Sequence, residues 1–229
     1  MKRSGVTGKP RTAAKPPVNI VTDDDIRAGV VALRRKCRHF RHMHDRAGDP
    51  PLRRRPAGFE GLARIIVGQQ VSVAAAAAIW TRFEASVRPM TPARVLALDD
   101  ETLRGAGLSR PKVRTLRALS AAIASGLDLE NLDGHTDMEV HAALTAVSGI
   151  GPWTADVFIM FCLGRADAFA PGDLALQEAA RMAMALDARP GKEEIAEIAL
   201  RWRPYRGVAA RMLWAYYAVA KAQKTAVPV

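Results

Sequence analysis

Cysteine is nearly missing from this chain: there are two in 229 residues, Cys37 and Cys162, far apart and in unlike settings. Two thiols imply no disulfide framework, and a reducing, cytoplasmic compartment is expected. Nor can two cysteines ligate an iron–sulfur cluster of the four-cysteine kind. Aromatic residues make up 6% of the chain, and β-branched runs are short, so strand-forming stretches are scarce. No window offers the long uncharged apolar run that crosses a bilayer. The basic N-terminus lacks the apolar segment of a secretory signal, so none is expected there.

What is present is a set of Ala-, Leu- and Arg-rich segments between Gly and Pro breaks, in a chain that is 49% apolar. That pattern predicts an all-α protein, and the length suffices for one substantial core or two small lobes sharing a cleft. Charge is uneven. The net +11 comes from 34 basic and 23 acidic residues. Lys2, Arg3, Lys9, Arg11 and Lys15 lie in residues 1–18 without an acid, and Arg34-Arg35-Lys36, Arg38, Arg41 and Arg53-Arg54-Arg55 follow. This balance favours a polyanionic partner, although a solvated surface or an anionic membrane would use the same charge.

Residues 1–20, rich in Lys, Arg, Pro and Gly, read as a disordered basic tail. Thr22 with Asp23, Asp24 and Asp25 opens a helix to about Lys36. Cys37, His39, His42 and His44 have ligand chemistry, but CxH and HxH spacings match no zinc pattern, so no metal is expected and the stretch reads as a charged helix end and loop. Phe59, Leu62, Ile65 and Ile66 form a helical stripe that Gly68-Gln69-Gln70 interrupts, and Ser72 caps an alanine-rich helix to about Val87. Adjacent amides at Gln69 and Gln70 can hydrogen-bond bases or close the loop. Further helices are expected from Pro92 and from Asp99. After Gly107, Ser109 and Pro111 start another, where Ser109 and Lys112 make a phosphate contact or a structural cap.

The densest pattern runs from Leu144 to Leu176. Gly149-Ile150-Gly151-Pro152, between apolar helices, reads as a tight hairpin turn, with Ile150 pointing inward and backbone N–H groups free at the next helix start. Pro171-Gly172-Asp173 then begins another helix, for which Asp173 is a natural N-cap.

The string GIGPWTADVFIMFCLGRADAFAPGDLALQ resembles the helix-hairpin-helix DNA glycosylase superfamily, and most of all its 3-methyladenine DNA glycosylase II branch. The likeness spans about residues 58–217. It implies two helical lobes with a cleft between them: one from 58–165, with the hairpin at 136–162, and one from 21–57 with 166–229. It also implies a monomeric, cofactor-free enzyme that removes alkylated purines from double-stranded DNA after flipping the damaged base. Asp173 takes the place of the essential aspartate, and Trp214, with Trp202 and Tyr205 nearby, that of the base pocket; Trp80 reads as core. Gly149, Ile150, Gly151 and Thr154 are the DNA-facing hairpin. Gln70 holds the position of the residue that fills the gap in the duplex, a polar amide where some members carry an apolar side chain. Members that also cut the strand carry a lysine two residues beyond the hairpin's Gly-x-Gly; here Trp153 stands there, so base removal without strand scission is expected. A non-catalytic DNA-binding hairpin module, or a glycosylase for other damaged bases, are the alternatives.

Overall fold

Short polar side chains set six of the α-helix starts in the computed structural model, which describes residues 19–225. Thr22 and Asp25 form a reciprocal capping box at α1 (Asp23–Lys36), as Thr136 and Glu139 do at α8 (Asp137–Thr145). Between them run α2 (Arg38–Ala47), α3 (Phe59–Gly68), α4 (Val73–Ser86), α5 (Pro92–Ala97), α6 (Asp100–Gly105) and α7 (Arg110–Ala124). Ser72, Thr91 and Asp99 each accept a backbone N–H from the first turn of α4, α5 and α6. The chain continues through α9 (Pro152–Phe158), a π-helical turn (Ile159–Leu163), α10 (Leu174–Met184), α11 (Lys192–Leu200) and α12 (Arg206–Thr225). Among the described residues the one departure from helix and loop is an isolated antiparallel bridge between Asn19 and Arg165. The all-α expectation holds.

Two expectations change. The stretch after Cys37, read as a helix end and loop, is a second helix, α2. Phe40 and Met43 lie one turn apart, both fully buried, and α2 packs on α1 and α12 through them. Six basic or histidine residues in ten hide this narrow stripe from a count of apolar positions. Cys37, His39, His42 and His44 do not converge. His39 meets the Ala183 carbonyl, His42 packs edge-on to Tyr216, and His44 sits between Arg34 and Asp49. Ile20, read as part of the basic tail, is 1% exposed, and its N–H donates to the Gly164 carbonyl at 2.6 Å. The rest of that tail, residues 1–18, lies outside the described residues.

Helix packing falls into two groups. Helix α12 lies against α1, α2 and α10, and α11 packs on α10; α3 lies against α4, α7 and α9, with α5, α6 and α8 around them. Arg211 of α12 joins the groups. It is 2% exposed and donates to the carbonyls of Gly207 (2.8 Å), Met160 (2.9 Å) and Leu52 (3.3 Å), so α12, the π-helical turn and the segment before α3 share one guanidinium. Burial, with Arg54 and Arg53 nearby, pushes this guanidinium down to about 10. A buried cation is tolerated only when its donors are satisfied, as three carbonyls and the Phe161 face (4.5 Å to the ring centre) do here.

Candidate functional site

Asp173 sits where the turn Pro171-Gly172 meets α10. Its Oδ1 accepts the Leu176 N–H at 2.9 Å, the N-cap bond its sequence position implies. Two more donors converge from elsewhere. Trp214 Nε1 of α12 donates to Oδ1 at 3.1 Å, and Trp153 Nε1 of α9 donates to Oδ2 at 2.8 Å. Three N–H groups on two oxygens suit a group that only accepts, the ionised carboxylate. Fixed between two indoles, the carboxylate cannot rotate without losing a charge-assisted bond.

This carboxylate faces a cavity of about 350 Å³ lined by Arg53, Arg55, Ile65, Gly68, Val73, Trp153, Val157, Phe161, Asp173, Trp214 and Ala218. A space of that size accepts a flat bicyclic group. Phe161 and Trp214, with ring centres 5.6 Å apart and planes at 31°, make an aromatic wall beside the acid. Of the three expected pocket aromatics, Trp214 alone lines it. Trp202 is 3% exposed, edge-on to Phe40 and Phe169, and so belongs to the core under α12. Tyr205, half-buried one residue before α12, donates its N–H to the Trp202 carbonyl and stands outside the cavity lining. Trp80 is buried, with Arg64 over its ring.

The hairpin between α8 and α9 flanks the cavity. Gly149 has φ +87°, and a Cβ there would run into the Thr115 hydroxyl, so both backbone sign and space demand glycine. Ile150 is 4% exposed and anchors the turn from within, leaving Ser148, Gly149, Gly151 and Pro152 on the surface. Thr154 differs from expectation. Its hydroxyl is buried and accepts from Gln69 Nε2 at 2.8 Å, so both side chains tie the α3–α4 turn to the hairpin instead of facing outward. Lys112 likewise turns inward. Its Nζ donates to the Val67 carbonyl at 2.7 Å, capping the end of α3, and burial lowers its pKa. Ser109 is exposed at the start of α7 with no side-chain capping bond. Gln70 is exposed in the α3–α4 turn with φ +55°, a left-handed backbone that non-glycine residues seldom adopt.

Sequence reasoning missed four of the aromatic and charged residues that line the cavity. Trp153 registered as the absence of a lysine, not as a donor to Asp173. Phe161 passed as one apolar residue in a run of them. Arg53 and Arg55 counted as net charge. Trp153 carried one usable signal, a large aromatic in the first turn after Pro152 where an exposed helix start needs none.

A family model described as "HhH-GPD superfamily base excision DNA repair protein" matches residues 63–204. The chain is 30% identical over 161 residues to DNA-3-methyladenine glycosylase 1 of Schizosaccharomyces pombe, covering 68% of this chain and 71% of that one. Its structure is similar to a 3-methyladenine DNA glycosylase of the same yeast in complex with abasic DNA, with TM-score 0.76, 27% identity, and 82% and 95% of the two chains covered. It is also similar to a DNA-3-methyladenine glycosidase from Bacillus halodurans, with TM-score 0.71, 33% identity, and 86% and 91% covered.

Proposed function

Since the chain belongs to the HhH-GPD superfamily of base excision DNA repair proteins, we propose that it is a monofunctional DNA glycosylase that hydrolyses the N-glycosidic bond of alkylated purines in double-stranded DNA and leaves an abasic site. The observation that carries this reading is Asp173, held by Trp153 and Trp214 at the wall of a base-sized cavity beside the glycine hairpin.

The two groups of helices act as lobes, 58–165 against 21–57 with 166–225, and the duplex lies across the cleft between them. The exposed hairpin edge at Gly149 and Gly151 holds backbone phosphate, and Ser109 at the start of α7 adds a second contact. Gln70, raised on its left-handed backbone, enters the gap left by the flipped nucleotide, where its amide pairs with the orphaned base. The extruded base slides along Trp214 and Phe161. As the C1′–N bond breaks, positive charge gathers on the sugar, and Asp173 stabilises it electrostatically and takes the proton of the attacking water. Trp153 supports base removal without strand scission, because an indole N–H cannot form a Schiff base with C1′.

Release of free methylated bases from alkylated DNA by wild type and Asp173→Asn tests the reading. Wild type releases them and the variant does not; equal release by both removes Asp173 from the mechanism. No helix among the described residues is long and apolar enough to cross a membrane.

A further inference from the structure

The cavity wall is more basic than removal of a cationic base calls for. Arg53 and Arg55 both line it, and among the described residues that do, Asp173 is the one acid. No ion pair among the described residues neutralises either arginine. Arg53 is held at φ +50°, a left-handed backbone that non-glycine residues seldom adopt. The Arg55 N–H is fixed to the Phe161 carbonyl at 3.0 Å, placing that side chain beside the aromatic wall. Arg211 already covers one face of Phe161, so this ring's π cloud is engaged by a guanidinium before any base arrives. Arg55 also lines an adjoining space of about 260 Å³ with Arg64 and Trp80, and that space holds no acid.

We infer that Arg53 and Arg55 set the enzyme's preference toward neutral purine adducts that leave as anions, and against N-methylated purines that carry a positive charge. This rests on the glycosylase reading above and concerns the same pocket. The leaving step explains the preference. When the C1′–N bond of a neutral adduct breaks, its electron pair stays on the base, which departs as an anion. Water supplies the new C1′–O bond, its proton goes to Asp173, and the base later takes a proton from solvent. Guanidinium N–H groups on the base edge stabilise that anion by charge-assisted hydrogen bonds. A cationic base leaves neutral; it gains nothing from these donors and is repelled on entry. Asp173 serves the sugar in both cases, so the arginines act on the other end of the same bond.

Single-turnover release is measured from duplexes carrying one 1,N6-ethenoadenine (neutral) or one N7-methylguanine (cationic), with each rate divided by spontaneous loss. Proteins compared are wild type, Arg53→Gln, Arg55→Gln, the double variant, and Arg55→Lys. The expected result is a larger acceleration for ethenoadenine in wild type. The double variant lowers it about 100-fold, the scale of losing preorganised donors at a developing anion, leaves methylguanine equal or faster, and Arg55→Lys restores part of the loss. The salt slope of binding to undamaged duplex stays as in wild type, because the groups touch base and not phosphate. A larger acceleration for methylguanine in wild type, or equal loss on both lesions together with a shallower salt slope, overturns the inference while sparing the glycosylase. Failure of wild type to release either base, or any base from alkylated DNA, overturns both.

Discussion

Replacing Asp173 by asparagine separates what the carboxylate does for the fold from what it does for chemistry. In the folded protein Oδ1 takes two donors, from Leu176 and Trp214, and Oδ2 takes one, from Trp153. An asparagine can keep its oxygen at the doubly bonded position only by aiming its NH2 at the Trp153 N–H, donor against donor. One charge-assisted bond is lost, and a half-buried indole N–H is left facing another donor, at a cost of about 1–3 kcal/mol and a melting temperature lower by several degrees. Catalysis loses the charge as well, at least about 100-fold in single-turnover base release, or about 2.7 kcal/mol of barrier. A second substitution uncouples the two effects. Trp153→Phe in the Asp173→Asn background removes the opposing donor, so thermal stability recovers most of the loss while base release stays as low as in the single variant. Were release to return along with the melting temperature, the carboxylate's charge would have no part in the reaction and the residue would be a cap alone.

Three further outcomes are expected. Gly149→Ala forces a methyl group onto the Thr115 hydroxyl at φ +87°; a loss of about 1–3 kcal/mol in urea unfolding should accompany weaker duplex binding. Thr154→Val strands the Gln69 amide that it now accepts, costing about 1 kcal/mol and loosening the 69–72 turn, read by faster hydrogen exchange there. Asp156, raised to about 7 chiefly by burial and lying 3.6 Å from His141 Nε2, keeps its proton longer in the folded chain than in the unfolded one. Its contribution is therefore whole below about pH 4, declines by up to about 1.4 kcal/mol per pH unit as pH climbs towards 7, and is flat above. Asp156→Asn should match the parent near pH 4 and melt higher at pH 8; a variant that tracks the parent at both values would refute the assignment.

Features written in adjacent residues were legible before any coordinates. The helix starts at Thr22, Ser72, Pro92 and Asp99 and the glycine turn at 149–151 depend on bonds that reach three residues or fewer. The Leu176 half of the Asp173 site belongs to that class. Its indole partners lie 20 and 41 residues away, and periodicity carries no information over such spans. Trp202 and Trp214 show the limit well. Both flank the start of α12 and share a side-chain type, yet one is swallowed by Phe40 and Phe169 and the other faces the cavity. What turns Trp202 inward is Phe40 of α2, the helix that its own charge concealed. Lys112 and Gln69 each kept two readings for a related reason, since a polar side chain near a loop reads the same whether it meets solvent or a neighbouring acceptor.

Arg211 carries a mechanical implication. Its three carbonyl partners sit on the C-terminal helix, on the turn that ends the hairpin, and on the segment bearing Arg53. Sliding any one of these against the others would strand a charged group where water has no access. The three walls that meet at Arg211 are thus tied to one another, and any closing motion that parts them has to break a buried cation's bonds.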